Sequence, residues 1–475
     1  MKRRREVDAA TRDRCAVYSW VHFAEGRLAA ISQAEPWDVS ASAGGAPHTN
    51  PLGGALTRAH RLQRTPDDTS VSRMQPSPER ALERAQEHCF MSGVGDVGEA
   101  LCAANMAYGI AKIHHLQREL GFPPDASFIG ATDATVTRNS ARWGQGFGYG
   151  GRIQWTGDFT VLDIKSNCCG MIVVAPKSKV DPQALEARAA QLRADPPVVD
   201  GHVVDFDLGE GNHFLDVCDV TQTFGGAQAD ADQYVIIHTS GHEFREASPD
   251  GPGIYYDQSP ALMRMLEIRE TPWGKLHILR DQAARDWYAT YAWCQEFSLK
   301  RREALARAIL GPLDVIINRT HQGLEAMNDA ILGCYHFTQA DLDAGQRFPL
   351  TLAPDLPAYL VRPKPSFQSA ALELAGFGER AHKHGLLERL EQANLLPHGG
   401  GYAYSQYAAL QGVSQDGPDQ RRFNLAKPDG SVDAISDVRG AAYGYRGDEV
   451  RQRMLALDLG EIEVETNISY ILSRD

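Results

Sequence analysis

The chain has 475 residues, enough for one large domain or two to three small ones. Its hydrophobic content of 43% and charged content of 23% are ordinary for a globular protein. The 48 lysine and arginine residues face 61 aspartate and glutamate residues, so the formal net charge is −13 and bulk attraction to nucleic acid is excluded. A nucleic-acid site would therefore have to be a local basic patch.

Eight cysteines are spread through the chain without a C-x-x-C pair. Sparse cysteines in so long a chain favour free thiols in a reducing cytoplasm over a disulfide framework. The sequence contains no long apolar run typical of a membrane span, and no apolar segment follows the basic residues Lys2–Arg5 as it would in a signal peptide. We therefore expect a cytoplasmic protein without a membrane partner, while its oligomeric state stays open.

The N-terminal part differs in composition from the rest. Residues from about 22 to 80 are rich in Ala, Ser, Pro, Gly and Thr, and Ser40–Gly54 is typical of a loop. We predict a flexible N-terminal segment over residues 1–80 and a folded domain over residues 81–475.

Helical and strand patterns alternate along the folded part, which predicts an α/β chain of the mixed α+β class. The helices are predicted from Pro78, with Ser77 as the cap, through about Met91, over Asp96–Leu120 as an amphipathic helix, and over 179–194, 258–270 and 279–308. The strands are predicted within 152–164 and at 171–176, 203–209, 213–220, 234–238, 313–317 and 462–472.

Three polar segments offer side chains that could bind a metal. Cys169, in DIKSNCCGM, could be a soft thiolate ligand for Mn, Zn or Fe, or simply a small core residue, and Asp163 in the same segment offers a hard oxygen ligand. His213 follows glycines in LGEGNHF, and His238 ends an apolar strand in HTSG. Each histidine taken alone could also be structural, because the spacing matches no local zinc motif.

A fourth segment, PHGGGYAYS, places His398 before three glycines. The glycines expose backbone N–H groups that suit a phosphate or nucleotide. A neutral imidazole can attack phosphorus and carry a phosphoryl group covalently. A glycine-rich turn with an incidental histidine is the alternative.

Taken together, these segments resemble the RtcB family of GTP-dependent RNA-splicing ligases. The resemblance runs in the family's order from about Asp96 to the C-terminus. It is carried by LGEGNHF (Leu208–Phe214), IHTSG (Ile237–Gly241), YATYAWCQE (Tyr288–Glu296), HGGGYAYSQ (His398–Gln406) and DVRGAAY (Asp437–Tyr443).

The resemblance implies an RtcB-type single large catalytic domain that uses GTP and one or two Mn²⁺ ions. His398 would form a guanylyl-histidine, and the guanylyl group would activate an RNA 3′-phosphate or 2′,3′-cyclic phosphate end for joining to a 5′-hydroxyl. The implied metal ligands are Asp163, Cys169, His213 and His238. The implied nucleotide contacts are Asn212, Asn318, Gly399, Gly401, Ser405, Tyr443 and Arg474.

Several positions depart from the family's pattern. Where the family has a metal-binding histidine, this chain has Ile317, and His321 could substitute for it if the stretch were helical. Asp163 lies six residues before Cys169 instead of three, which requires an insertion. Tyr402 and Gln406 replace arginines. Two alternative functions therefore stay open: a catalytically altered RtcB-like protein that binds nucleotide or RNA ends, and a single-metal phosphoesterase.

Overall fold

This computed structural model describes residues 76–472 of the chain. Within them, helices and strands have a similar total length. The predicted mixed α+β class is confirmed. The predicted N-terminal segment lies outside the described residues up to position 75, and so does Arg474. The helices in chain order are α1 (Pro78–Glu87), α2 (Val97–Glu119), α3 (Ser140–Gly144), α4 (Pro182–Ala194), α5 (Pro260–Met263), α6 (Asp281–Leu310), α7 (Gln339–Asp343), α8 (Ser369–Leu374), α9 (Gly378–His384), α10 (Leu387–Glu391) and α11 (Glu449–Ala456).

The strands are mostly short. In chain order they are β1 (Cys89–Met91), β2 (Ser127–Thr135), β3 (Tyr149–Gln154), β4 (Phe159–Val161), β5 (Gly170–Pro176), β6 (Val198–Val199), β7 (His202–Val203), β8 (Phe214–Thr223), β9 (Gln233–Thr239), β10 (Glu267–Thr271), β11 (Gly274–Arg280), β12 (Leu313–Thr320), β13 (Gln322–Ala326), β14 (Asp329–Leu332), β15 (Tyr335–His336), β16 (Phe348–Thr351), β17 (Ala358–Pro363), β18 (Leu395–Leu396), β19 (Tyr402–Ala403), β20 (Ala409–Gln415), β21 (Arg421–Ala426), β22 (Val432–Ile435), β23 (Gly444–Tyr445) and β24 (Gly460–Leu472).

Two larger sheets organise these strands. The first has seven antiparallel strands in the order β12-β5-β9-β8-β24-β17-β16, and the second has five strands in the order β1-β2-β3-β14-β13. In the first sheet Met171 of β5 and Phe214 of β8 both pair with His238 of β9. Because both strands are antiparallel to β9, the polar segments that precede β5 and β8 lie beside the C-terminal end of β9.

Two long helices pack against these sheets. Asp96 caps α2 by accepting a hydrogen bond from the Glu99 backbone N–H at 2.9 Å. The helix is where the sequence predicted it, but 17 of its 23 residues are buried, so it is not amphipathic as expected. It is covered by α1, β2 and several loops and strands, and it therefore acts as a core helix. The predicted helix 279–308 corresponds to α6, which contacts β5, β9 and β12.

Three local predictions were wrong. The predicted helix 258–270 is only the single turn α5, and the following residues form a hairpin of β10 and β11, closed by Gly274 in the left-handed region at φ +102°. In the predicted strand 203–209, only the first residue is in a strand, because the carboxylate of Asp207 satisfies the backbone N–H of Ser240 in place of a regular ladder. Residues 89–91, predicted to be helical, form β1, which pairs in parallel with β2.

The segment before His321 is a strand and not a helix. β12 runs from Leu313 to Thr320, so Ile317 and His321 do not share a helical face. Ile317 is instead packed in an apolar core with residues of β5 and β9. None of the helices within residues 76–472 is both long and apolar enough to cross a membrane.

Candidate functional site

A thiol and two imidazoles meet at the end of the seven-stranded sheet. Cys169 directly precedes β5, His238 lies near the end of β9, and His321 follows β12. The Cys169 Sγ atom lies 3.1 Å from Nε2 of His238, which lies 3.2 Å from Nε2 of His321. All three side chains are buried, and their donor atoms lie within 4.8 Å of one another. The three residues converge because β5 lies between β9 and β12 in the sheet.

His213 completes this cluster from the loop before β8. Its Nε2 atom lies 3.6 Å from the Cys169 Sγ atom, and its Nδ1 atom lies 3.0 Å from a carboxylate oxygen of Asp207. The structure thus brings Cys169, His213 and His238 together. His321 joins them because it follows strand β12, which is adjacent to β5, and not because it shares a helical face with Ile317. We call these four residues the Cys-His cluster.

His238 and His213 are oriented by contacts of their Nδ1 atoms, which point away from the cluster. His238 donates from Nδ1 to the backbone oxygen of Asn212 at 2.8 Å, and His213 turns its Nδ1 toward Asp207. With its proton on Nδ1, His238 presents the lone pair of Nε2 to the cluster, and His213 does the same once its Nε2 proton is lost. One thiol and three imidazoles form a donor set that suits a borderline divalent metal such as Zn²⁺ or Fe²⁺ and can also hold the harder Mn²⁺. The residues present therefore fit a metal ion.

Electrostatics favour the metal-binding forms of Cys169 and His321. Burial alone would raise the pKa of the Cys169 thiol, but the neighbouring His238 and His321, with hydrogen bonds from the imidazoles, hold that pKa well below its usual value. Burial lowers the pKa of His321 to about 3, so this ring is neutral at physiological pH. A thiolate and a neutral imidazole are the protonation states that coordinate metals. For His213, burial alone would lower the pKa, but hydrogen bonds with Asp207 and Cys169 raise it to about 10, so this ring must lose a proton before it can bind a metal.

Asp163, predicted to be a metal ligand, is not in the compact group formed by Cys169, His238 and His321. Its carboxylate is fully buried and accepts hydrogen bonds from Tyr256 Oη at 2.7 Å, from His277 Nδ1 at 2.8 Å and from the His277 backbone N–H at 2.8 Å. Both oxygens are thus engaged in holding β11 and the loop before α5. Between Asp163 and Cys169 the backbone passes through the left-handed region at Lys165, with φ 50°.

Asn318, predicted to contact nucleotide, serves the packing of β12 on α6. Its side-chain oxygen accepts from Arg302 Nε at 2.8 Å, and its nitrogen donates to the Leu299 backbone oxygen at 2.7 Å. The same guanidinium donates to the Cys168 backbone oxygen at 3.1 Å and to Thr320 Oγ1 at 3.0 Å. Arg302 therefore ties together the two segments that carry Cys169 and His321.

His398 shares a cavity with His213 and His238 of the Cys-His cluster. Its ring centroid lies 4.4 Å from that of His321 and 6.4 Å from that of His238. Its Nδ1 atom lies 2.8 Å from a carboxylate oxygen of Asp133, which also accepts from the backbone N–H groups of His398 at 3.0 Å and Gly399 at 3.3 Å. Because the carboxylate only accepts, the ring proton sits on Nδ1 and the lone pair of Nε2 is available for attack.

The cavity has a volume of about 150 Å³ and lies between two parts of the fold. The seven-stranded sheet and its loops contribute one group of lining residues, and the glycine segment with the β19–β23 ribbon contributes the other. These residues include Met171, Gly211, Asn212, His213, Phe214, Asp216, His238, Ile471, His398, Gly399, Gly400, Gly401, Tyr402 and Tyr445.

Close backbone approach explains the glycines after His398. A Cβ atom on Gly400 would lie 2.4 Å from the Arg446 backbone oxygen, and one on Gly401 would lie 2.5 Å from the Asp133 backbone oxygen. Gly401 is also in the left-handed region at φ +69°. Side chains in this segment would thus displace His398 from the cluster.

The remaining predicted nucleotide contacts divide into two groups. Asn212, Gly399 and Gly401 line the cavity. Ser405 is exposed and does not line it, and Tyr443 lies beside Tyr402 at the surface, with their ring centroids 4.9 Å apart.

Three acidic residues of the site were missed in the sequence. Asp133 orients His398, Asp207 faces His213, and Asp216 lines the cavity from β8. Burial raises the pKa of Asp216 to about 8. Asp133 and Asp216 each interrupt an otherwise apolar or small-residue strand, and a charge in such a position was the signal available in the sequence.

No protein-family model and no curated protein matches this chain.

Proposed function

We propose that the protein is a metal-dependent nucleotidyl transferase that joins RNA ends, using GTP and Mn²⁺ and the imidazole of His398 as nucleophile. One observation carries the proposal: His398, held through Nδ1 by the buried carboxylate of Asp133, lies with its ring 4.4 Å from that of His321 in the cavity of the Cys-His cluster. A nucleophile fixed beside a metal-binding group is the arrangement that nucleotidyl transfer needs.

The first step uses His398 and Asp133. The lone pair of His398 Nε2 attacks the α-phosphorus of GTP and forms a nitrogen–phosphorus bond, while the bond from that phosphorus to the bridging oxygen breaks and pyrophosphate leaves. The ring becomes positively charged during attack, and the carboxylate of Asp133 stabilises this charge from the Nδ1 side. A guanylyl group is then attached to His398.

Two further transfers join the RNA. An oxygen of an RNA 3′-phosphate, or of a 2′,3′-cyclic phosphate opened by water, attacks the guanylyl phosphorus and breaks the bond to His398. A 5′-hydroxyl then attacks the 3′-phosphorus, forms the phosphodiester, loses its proton to solvent and displaces GMP. These steps follow from the resemblance of the sequence segments to the RtcB family.

The other cavity residues have supporting roles. The Cys-His cluster would hold Mn²⁺, and the bound ion would supply positive charge that neutralises phosphate. Asp216, beside Phe214, has a pKa that burial raises to about 8, and in its ionised form its two oxygens can accept from the N1–H and amino groups on the edge of guanine, a pair of donors that adenine lacks. We therefore expect GTP to be used in preference to ATP.

The test is incubation of the purified chain with Mn²⁺ and GTP labelled at the α-phosphate, with and without RNA bearing 3′-phosphate and 5′-hydroxyl ends. We expect acid-labile label on the protein, and joined RNA when both ends are supplied. His398→Ala should abolish both, whereas His382→Ala, a change at an exposed histidine, should leave both intact. Absence of label and of joined RNA with the wild-type protein would contradict the proposal.

A second candidate is a single-metal phosphoesterase acting through a water molecule near the Cys-His cluster. The placement of Asp163 favours it, because within the described residues the only compact group of metal ligands contains Cys169, His238 and His321 and lacks a carboxylate. Hydrolysis of a cyclic-phosphate RNA in the absence of GTP would support this candidate. Label on His398 without RNA joining would instead favour an RtcB-like protein that has kept only its nucleotide chemistry.

A further inference from the structure

Two exposed tyrosines mark the surface beside the cavity. Tyr443 is 45% exposed and Tyr445 is 43% exposed, and among residues 76–472 they are the only aromatic side chains in the set of exposed large hydrophobic residues. Exposed aromatic rings carry an energetic cost in water unless a ligand covers them, so their position indicates a binding surface.

The two tyrosines belong to a small aromatic ribbon. Tyr402 of β19 pairs with Tyr445 of β23, and their ring centroids lie 5.6 Å apart. Tyr443 precedes β23, with its ring centroid 4.9 Å from that of Tyr402 and 6.2 Å from that of Tyr445. We call these three residues the tyrosine ribbon. Tyr402 and Tyr445 also line the cavity of His398, so the ribbon continues from the cavity to the protein surface.

The positively charged side chain of Arg138 lies beside the tyrosine ribbon. The guanidinium of Arg138 lies 4.1 Å from the ring centroid of Tyr443 and 5.9 Å from that of Tyr402. Its Nη1 atom is buried without a hydrogen-bond acceptor, and the guanidinium interacts with the Tyr404 hydroxyl. In a chain with a net charge of −13, this arginine is a local positive charge that can meet a phosphate.

We infer that the tyrosine ribbon with Arg138 binds the unpaired terminal nucleotide of single-stranded RNA, the base against the rings and the adjacent backbone phosphate near the arginine. Aromatic rings stack on any base, and single-stranded RNA is recognised in this way when its bases are unpaired. The inference rests on the proposed function, because it assigns the ribbon to the RNA end whose phosphate must reach His398.

The position of the ribbon in the cavity favours RNA over the base of GTP. Phe214 and Asp216 line the cavity from β8, and there they offer an aromatic ring and a carboxyl group for guanine. Tyr402 and Tyr445 line it from the separate β19–β23 ribbon, next to the glycines that follow His398. Transfer of a guanylyl group from GTP to RNA requires that both substrates bind beside His398. The tyrosine ribbon provides the binding surface for the second substrate, the RNA end.

The inference is tested by RNA binding in the absence of GTP. The probe is a short single-stranded RNA with a 3′-phosphate and 2-aminopurine as its 3′-terminal base, whose fluorescence is quenched by stacking. We expect quenching on binding to the wild-type chain, and about tenfold weaker binding for Tyr445→Leu. Tyr445→Phe, which keeps the ring, should bind like the wild type. Val432→Ala, a change at an exposed apolar residue of β22, is the control for surface changes.

Other outcomes would overturn the inference. One is a probe that binds wild-type protein without quenching, and another is equal binding by wild type and Tyr445→Leu. If Tyr445→Leu does not fold, the same comparison is made with Tyr443→Leu and Tyr443→Phe. Guanylylation of the wild-type protein is measured separately: its failure would contradict the proposed function, whereas a failure of quenching alongside successful guanylylation would contradict only the role of the ribbon.

Discussion

At the scale of single residues, the site depends on where protons sit on its imidazoles. Asp133 and Asp207 face the Nδ1 atoms of His398 and His213, and the backbone oxygen of Asn212 accepts from His238. For His398 and His238 these partners favour the tautomer with a free Nε2 lone pair, and for His213 the partner keeps the proton on Nδ1. The carboxylates thus decide whether an imidazole can act as nucleophile or ligand.

The pair of Asp133 and His398 gives the first prediction. In Asp133→Asn, the new amide N–H can face the imidazole and stabilise the tautomer with the proton on Nε2, which blocks attack. We expect the rate of His398 guanylylation to fall by a factor on the order of 10²–10⁴. Single-turnover labelling measures this rate, and a rate within a few-fold of wild type would show that Asp133 does not set the tautomer.

The neighbouring cysteines give a matched pair of variants for the second prediction. Cys169→Ser removes the thiolate from the cluster, and we expect purified protein to lose most of its bound metal. Cys168→Ser should retain the metal, because the Cys168 side chain faces Tyr291 and Ser298 instead of the cluster. Elemental analysis of both proteins, after reconstitution with Mn²⁺ or Zn²⁺, tests this. Equal metal content in the two variants would contradict the assignment.

At the scale of elements, the order of strands creates the site. Cys169, His238 and His321 are far apart in the chain and meet because β12, β5 and β9 are neighbours in one sheet. The helix α6 secures this arrangement from one side through Arg302, whose donors bind Cys168 and Thr320 next to two of the ligands.

Arg302 is therefore predicted to matter for both stability and metal binding. Arg302→Met leaves buried acceptors on Cys168, Asn318 and Thr320 without donors, and we expect a loss of about 3 kcal/mol in the free energy of unfolding. Metal affinity should fall at least about tenfold, as for other residues that orient ligands. Chemical denaturation and metal titration measure the two effects.

Arg307→Met is the control for this change. Arg307 lies on the same helix, is about half exposed and pairs with Glu303, and such surface pairs contribute little. Its replacement should change stability by less than about 1 kcal/mol and leave metal affinity unchanged. Equal effects of the two substitutions would contradict the special role of Arg302.

The elements also show what the sequence could predict. Helical periodicity located α2 and α6, and apolar runs located β5, β9 and β24, because these patterns are local. The hairpin of β10 and β11 was missed, since its exposed strand carries charges at a spacing that also fits a helix. The role of Asp133 and the hydrogen bonds of Asp163 could not be predicted, because their partners lie in distant segments whose positions depend on strand order.

At the scale of the whole molecule, two buried histidines link folding to pH. His88 and His114 are fully buried, and their Nδ1 and Nε2 atoms, respectively, lie 3.0 Å and 2.9 Å from the Ala126 backbone oxygen. Burial lowers the pKa of His88 to about 4 and that of His114 well below its ordinary value. Both rings are therefore neutral in the folded protein at neutral pH.

The sign of the pH effect follows from these lowered values. As pH falls below about 6.5, the two histidines take up protons in the unfolded chain but not in the folded chain. Their contribution to the free energy of unfolding is therefore complete above this pH and declines toward pH 4. For His88 alone we expect a loss of about 2 kcal/mol near pH 5. Denaturant unfolding near pH 7.5 and pH 5 measures it. His88→Asn should reduce the loss by that amount, and an unchanged loss would contradict the account.

The central claim is that His398 carries the nucleotide. Its most direct test is peptide mapping by mass spectrometry after the protein is incubated with GTP and Mn²⁺ and digested under conditions that preserve nitrogen–phosphorus bonds. We predict one guanylyl group, on the peptide that contains His398 and on the Nε2 atom of that residue. An unmodified His398 peptide, or guanylate attached to a lysine such as Lys165, would contradict the claim.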